Sequence, residues 1–307
     1  MKTKIIANPV AGKGKVKKYL PVIQEKLKKE KITYDLSLSS NPDHVEILAR
    51  QAKEEGYKRI VACGGDGTVN KIINAIVKTD ISLGIIPLGT GNDLARNMGI
   101  KEDIEFACNV LKSGKTKKID VIKVKGDKYY GGVGGVGFDV DIVFFVNRWK
   151  KFVPGVLVYP LYIGAIIKEI VSCNSQRVKI IYDDKSFSGQ ILMACFGNTE
   201  SYARKVKISP FALPNDGLLD ICIVKKVNKL KIMRAFLRVF LKTKPFHLPE
   251  VKIYNEIPGV EIHRAKKVYL ESKIPLYFHG DAEIISTTPL SLEVIPEALK
   301  VVVPPSS

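Results

Sequence analysis

Three short apolar runs near the start of the chain, Lys4–Ala7, Arg59–Cys63 and Leu83–Ile86, each give way to a loop rich in glycine. Each run is too short for a buried helix and long enough for a buried strand. Helix-like segments separate them: Val16–Lys29, then Pro42–Glu55, with Asn41 as its N-cap and Pro42 at the first helical position, then Thr68–Lys78. Thr33–Leu38 reads as one more strand. This alternation predicts a parallel sheet with helices on both faces. In such a sheet the loops beyond the carboxyl ends of the strands gather at one crevice, where ligands bind.

The three loops are Asn8–Lys15 (NPVAGKGK), Gly64–Asn70 (GGDGTVN) and Gly89–Asp93 (GTGND). Glycines let the backbone approach a bulky anion, and a following helix offers free N–H groups. Asp66 suits Mg²⁺, which takes oxygen ligands. A tight turn with glycines kept for steric reasons explains any one loop. Three at one crevice point to phosphate binding. None fits G-x-x-x-x-G-K-[ST], which excludes a P-loop. Gly132–Gly137 fits G-x-G-x-x-G, but Phe138–Asp141 reads as strand and no acid lies between Asp141 and Glu169. The dinucleotide fingerprint is therefore set aside for a glycine-rich strand near the crevice.

After about residue 120 short alternating runs take over: Lys118–Lys125, Arg177–Tyr182, Gly189–Phe196, Leu218–Val224, Lys267–Leu270 and Leu276–His279. They predict a second, mostly antiparallel β-sandwich domain. One helix, Lys229–Lys242, interrupts them, and Leu290–Val303 is strand-like again. A length of 307 residues suits two domains, divided at residues 120 and 121.

The formal charge of +18 calls for an anionic partner: nucleic acid, an anionic membrane or a phosphorylated small molecule. No basic-aromatic nucleic-acid module is present. Cys63, Cys108, Cys173, Cys195 and Cys222 are scattered, which argues for core residues over a zinc site or disulfide framework. The first residues turn charged at once, so no secretory leader is expected and the chain reads as cytoplasmic. The longest uncharged run, Phe152–Ile167, is short of a membrane span. It suits the wall of an acyl-chain pocket, or an ordinary core. Lys231, Arg234, Arg238 and Lys242 recur at helical spacing among apolar residues, and Trp149 lies beside Arg148. Both suit an anionic bilayer surface, and equally a helix packed on its own domain. Asp281 and Glu283, two apart, would face one side of an extended segment, or lie solvated on a surface turn.

Taken together, N-P-x-x-G at Asn8–Gly12, G-G-D-G-T-x-N at Gly64–Asn70, G-T-x-N-D-x-A-R at Gly89–Arg96, the stretch Lys207–Val224 and H-G-D-A-E at His279–Glu283 resemble the diacylglycerol kinase catalytic family, closest to its soluble bacterial lipid kinases. The resemblance implies an α/β nucleotide-binding domain, completed by a returning tail at 290–307, and a β-rich lipid-acceptor domain at 121–289. ATP would contact Asn8, Pro9, Val10, Ala11, Gly12, Ser39, Gly65, Asp66, Gly67, Thr68, Val69, Asn70 and Thr90, with Lys71 beside them. Asp66, Asp93 and Asp120 would surround the catalytic Mg²⁺ and the phosphates. Glu283 would be the general base, with Asp281 next to it. A second, structural Mg²⁺ would use the Asp216 carboxylate and the carbonyls of Leu213 and Leu218. Three positions depart from the family: Lys71 where glutamate is usual, Ala282 in place of the glycine of D-G-E, and Asn215 where a second acid is common.

The expectation is an ATP- and Mg²⁺-dependent lipid kinase that converts diacylglycerol to phosphatidic acid. An NAD kinase-like phosphotransferase and a non-catalytic lipid- or nucleotide-binding regulator are the alternatives. The partners expected are a lipid alcohol substrate, an anionic membrane surface in peripheral contact, and a second copy of the chain as a homodimer. Nucleic acid is not expected.

Overall fold

A computed structural model describes residues 1–149, 152–154, 157–172, 174–202, 206–227 and 259–305. The chain opens with β1 (Thr3–Ala7), α1 (Ala11–Lys29), β2 (Asp35–Leu38), α2 (Pro42–Glu54), β3 (Arg59–Gly64), α3 (Asp66–Ile76) and β4 (Ser82–Pro87). The strands pair in parallel in the order β4–β3–β1–β2. The chain steps outward from β1 to β2, then back across β1 to β3 and on to β4. Right-handed crossovers then put α1 on one face and α2 and α3 on the other. The contacts agree. α2 packs on α3, where Lys71 pairs with Asp43 at 2.8 Å. α1 packs on a helix the sequence reading passed over, α5 (Ile104–Ser113), where Lys26 meets Glu105 at 2.8 Å. A second such helix is the short α4 (Asp93–Asn97). Asn41 caps α2 as expected, its side chain accepting the His44 N–H at 2.9 Å.

The remaining elements are β5 (Lys115–Val124), β6 (Lys128–Tyr130), β7 (Val133–Gly137), α6 (Phe138–Trp149), α7 (Val158–Ser172), β8 (Gln176–Tyr182), β9 (Lys185–Gly197), β10 (Ser201–Tyr202), β11 (Val206–Lys207), β12 (Leu219–Lys225), β13 (Val260–Ala265), β14 (Lys267–Ser272), β15 (Tyr277–Gly280), β16 (Glu283–Thr287) and β17 (Leu290–Val303). Except where β17 meets β4, the strand pairs among them are antiparallel. The strand-like reading of Phe138–Asp141 is corrected: these residues open α6. Phe138, Ile142 and Val146, spaced by four, bury one helical face against Leu192, Cys195 and Cys222. A helix does follow the glycine run. Its strand β7, however, lies antiparallel to both β9 and β15, so no βαβ unit forms and the dinucleotide fingerprint stays excluded.

The two halves share one sheet. β17 pairs antiparallel with β14 and β5, and joins β4 in parallel through Lys300 and Val301. The boundary between hydrophobic cores falls inside β5 and β17. Ile119 and Val121 pack in the first core, Ile122 and Val124 in the second. The tail is likewise divided: Ala298, Leu299, Val301 and Val303 complete the first core, while Leu290, Leu292 and Val294 belong to the second. Cys63, Cys108, Cys195 and Cys222 are buried free thiols. Cys173 and the basic helix expected at Lys229–Lys242 lie outside the described residues. Among the described residues no helix is long and apolar enough to cross a membrane.

Candidate active site

The loops after β1, β3 and β4 meet as the parallel topology requires. Asn8 Nδ2 donates to Thr68 Oγ1 at 3.5 Å, tying the first loop to the start of α3. The backbone N–H groups of Asn92 and Asp93 donate to the Asp66 carboxylate at 2.7 and 2.6 Å, tying the third loop to the second. Asn92 makes that turn possible by adopting a left-handed conformation at φ 57°, braced by its own side chain on Gly89. A side chain at Gly91 would collide with Asp66 Oδ2 and press on Asp93 Oδ2, so the glycine keeps the space between these two carboxylates open.

The loops form one wall of a crevice of about 800 Å³. The opposite wall comes from the second half: Gly132, Val133, Ile142, Val143, Asn147, Ser201 and the turn Asp281–Ala282–Glu283. This turn is not the extended segment that would aim both acids the same way. Asp281 and Ala282 have φ of 52° and 63°, a left-handed turn between β15 and β16. Asp281 accepts the N–H groups of Gly131 and Gly132 at 3.0 and 2.9 Å and Asn70 Nδ2 at 3.1 Å. Its carboxylate is thus an anchor for the turn. Burial holds its pKa above the usual carboxylate range, against the pull of those donors. Asn147 Nδ2 on α6 donates to the Ala282 carbonyl at 3.2 Å and clamps the turn from outside. Glu283 opens β16 directly after the turn, over the start of α3. A Cβ on Gly67 would lie 2.6 Å from Glu283 Oε1, so only glycine lets the carboxylate settle there.

Asp66, Asp93, Asp281 and Glu283 line the crevice, with Lys13 as the ammonium among its lining residues. Depth in the protein pushes the Asp66 carboxyl up to about 7, and the neighbouring charges of Asp93 and then Asp281 add to this. Surplus carboxylate charge of this kind is what a divalent cation relieves. Asp66 and Asp93 offer oxygen ligands of the kind Mg²⁺ takes, in competition with the two backbone N–H groups on Asp66 and with Arg96, whose Nη1 pairs with Asp93 Oδ1 at 2.8 Å. The catalytic ion's third expected carboxylate does not join them. Asp120 is buried at the junction of the two cores, where it accepts the N–H groups of Gly217 and Glu297 at 2.7 and 2.8 Å, and it does not line the crevice. The structural cation does not fit either. One Asp216 oxygen is ion-paired with Arg264, the other accepts the Leu218 N–H at 3.1 Å, and Leu213 is half-exposed. Among the described residues no cluster of three or more histidine, cysteine or acidic side chains could hold a metal.

Of the residues expected at the nucleotide, Asn8, Val10, Ala11, Gly12, Gly65, Asp66, Gly67, Thr68, Val69, Thr90 and Asp93 line the crevice. Pro9 does not. Asn70 and Lys71 do not line it themselves but touch its wall: Asn70 donates to Asp281 and the Tyr129 carbonyl, and the Lys71 ammonium pairs with Asp43 and also feels the charge of Glu283. Ser39 follows β2, its N–H donating to the Ala7 carbonyl at 2.9 Å and its buried hydroxyl without a hydrogen-bond partner; it does not line the crevice. Sequence reasoning missed the opposite wall. Asn147 and Val143 were hidden by the strand reading of α6, although the spacing of Phe138, Ile142 and Val146 would have revealed the helix. His279 lies fully buried beneath the turn, its Nε2 2.6 Å from Asp139 Oδ2.

Comparison with known proteins completes the picture. Residues 2–124 match the family described as diacylglycerol kinase catalytic domain, and residues 132–303 the YegS C-terminal NAD kinase beta sandwich-like domain. A diacylglycerol kinase of Bacillus subtilis (strain 168) is 32% identical over 276 residues, covering 88% of each chain. One of Mycobacterium tuberculosis (strain CDC 1551 / Oshkosh) is 29% identical over 309 residues, covering 99% of this chain and 95% of the relative. The crystal structure of a diacylglycerol kinase from Bacillus anthracis str. Sterne shares the fold, with a TM-score of 0.75 at 22% identity over 99% of this chain and 97% of that one. With both halves matched and the crevice built from the loops that carry the family's motifs, this chain belongs to the diacylglycerol kinase family and is a lipid kinase.

Proposed function

We propose that the enzyme transfers the γ-phosphoryl group of ATP, with Mg²⁺, to the primary hydroxyl of a membrane lipid, and that diacylglycerol is the acceptor. The observation that carries this reading is the placement of Glu283. Its carboxylate stands over Gly67 at the N-terminus of α3, one residue along the chain from Asp66, and lines the same crevice as Asp66 and Asp93. Phosphoryl transfer needs positioning, neutralisation of phosphate charge, and a group that accepts the hydroxyl proton.

The glycine loops and the N-terminus of α3 supply N–H donors for phosphate oxygens. Asp66 and Asp93 would hold the Mg²⁺, which neutralises charge on the transferring phosphoryl group. Glu283 accepts the lipid hydroxyl proton as the oxygen–phosphorus bond forms and the bond to the departing ADP breaks. Asp281 and Asn147 keep Glu283 in place; Asp281 itself is engaged by three donors and is not the base.

Two features support peripheral docking on an anionic bilayer. α6 lines the crevice through Ile142, Val143 and Asn147, and exposed aromatics gather at its C-terminal end: Trp149 and, just beyond, Phe152, which is 76% exposed. Trp149 packs between Phe145, tilted at 6.3 Å, and Phe152, edge-on at 6.2 Å, with the Arg148 guanidinium 5.9 Å from its ring. Exposed aromatics beside a cation suit the lipid–water interface.

The test is transfer of labelled phosphate from ATP to a panel of lipid alcohols in anionic vesicles, with sphingoid bases and NAD included. Label in phosphatidic acid, lost when Mg²⁺ is chelated, is expected. Label in NAD alone, or in no acceptor, would overturn the reading.

A further inference from the structure

The resemblance puts a structural cation at the loop between β11 and β12, yet the chain fills that place with its own side chain. We infer that the Arg264 guanidinium is the counter-charge that closes the 213–218 loop, so that this junction needs no divalent ion.

The geometry follows from strand register. Arg264 on β13 is the direct cross-strand partner of Asp220 on β12. Its Nε donates to Asp220 Oδ1 at 2.8 Å, and its Nη2 reaches past to the Asp216 carboxylate. One planar fork therefore spans two carboxylates, a task that suits guanidinium because its donors are fixed in direction and its charge is permanent. Asp220 is fully buried and would be costly to leave without a cation. The rest of the loop is also held by protein groups. The Pro214 carbonyl accepts the Asp120 N–H at 2.7 Å, the Gly217 N–H donates to Asp120 Oδ2, and Asn198 Nδ2 holds the Asp120 carbonyl at 2.9 Å. A divalent ion on Asp216 would have to displace Nη2 and then sit against a positive charge. Mg²⁺ sheds its water reluctantly and wants near-octahedral oxygen ligands, so it is poorly placed to win that exchange.

The test does not involve phosphoryl transfer, so its outcome is separate from that of the kinase reading. In the Asp66→Asn background, where the crevice is disabled as a cation site, Mn²⁺ binding is counted by electron paramagnetic resonance, and melting is followed with EDTA or excess Mg²⁺. The expected result is no bound Mn²⁺ and a Tm that shifts by less than about 2 °C. One bound Mn²⁺, or a saturable rise in Tm, would overturn the inference. Adding Arg264→Gln should lower the Tm and make it rise again with Mg²⁺, because the two carboxylates lose their counter-charge. An unchanged Tm with no gain of cation binding would equally sink it. If the double variant does not fold, the Mn²⁺ count with Arg264 intact still decides.

Discussion

Asp66 and Asp120 each accept two backbone N–H groups, and both were expected around one metal ion, yet they sit in unlike places. Asp66 opens on the crevice beside Asp93 and Asp281, where like charges crowd it. Asp120 is sealed at the junction and stitches β5 to the loop before β12 and to the bend in β17. Backbone donors alone do not make a carboxylate functional. What separates the two is what remains once those donors are in place. At Asp66 it is a carboxyl facing a cavity, held at a raised pKa of about 7 by burial and the neighbouring Asp93. At Asp120 it is a closed set of bonds.

The largest effect should come from the crevice. Glu283→Gln keeps shape but cannot accept a proton, so turnover should fall by roughly 10²–10⁴ while the Kd for ATP hardly moves. Steady-state kinetics with a separate nucleotide-binding titration checks this; a loss confined to binding would reassign Glu283 to the nucleotide.

Asp120→Ala should instead cost stability, about 1–3 kcal/mol for each N–H group left without its acceptor. Urea denaturation measures the loss. ATP affinity of the folded variant should match wild type; a selective loss of nucleotide binding would bring Asp120 back to the crevice.

Asp66→Asn sharpens the contrast through its sign. With the folded pKa raised to about 7 from an ordinary value near 3.8, the folded state holds its proton more tightly than the unfolded chain. That contribution is full below about pH 4 and is lost as pH rises to about 7. Asp66→Asn leaves one of the two N–H groups of Asn92 and Asp93 without an acceptor at every pH, so without bound cation its Tm relative to wild type should rise steadily from pH 4 to pH 7.5, while transfer is abolished. Melting curves across that range with EDTA present would expose a trend of the opposite sign.

The smallest effect belongs to Ala282. A non-glycine residue at φ 63° pays a steric penalty, so Ala282→Gly should stabilise by at most about 1 kcal/mol. Turnover should not fall, since Asp281 and Asn147 still hold the turn; a large drop would show that alanine itself fixes the Glu283 geometry.

The parallel half was legible because local chemistry decides it. Apolar strands, the Asn41 cap and glycine loops each act within a few residues, so β1, β3, β4 and α2 lie close to where sequence puts them. The loops' convergence followed from topology alone. The opposite wall was less legible. α6 begins with Phe-Asp-Val-Asp, whose apolar–polar alternation mimics a strand until the spacing of Phe138, Ile142 and Val146 is weighed across the whole helix. The fates of Asp120 and Asp216 depended on partners far along the chain, Glu297 and Arg264, and no local pattern announces such a pairing. Asn70, drawn to Asp281 across 211 positions, is the same case.

The division of β17 between the two cores bears on how the chain is made. The β4 edge of the parallel sheet pairs with residues 300 and 301, and β5, paired with β6 on one side only, keeps its other edge open until β17 arrives. A chain emerging from the ribosome therefore holds a half-built sheet, with an unpaired inner edge, until nearly all of the described residues have been synthesised. Such edges recruit other strands. Folding of both halves waits on the same late segment, and neither can be released as an independent unit by cutting between them.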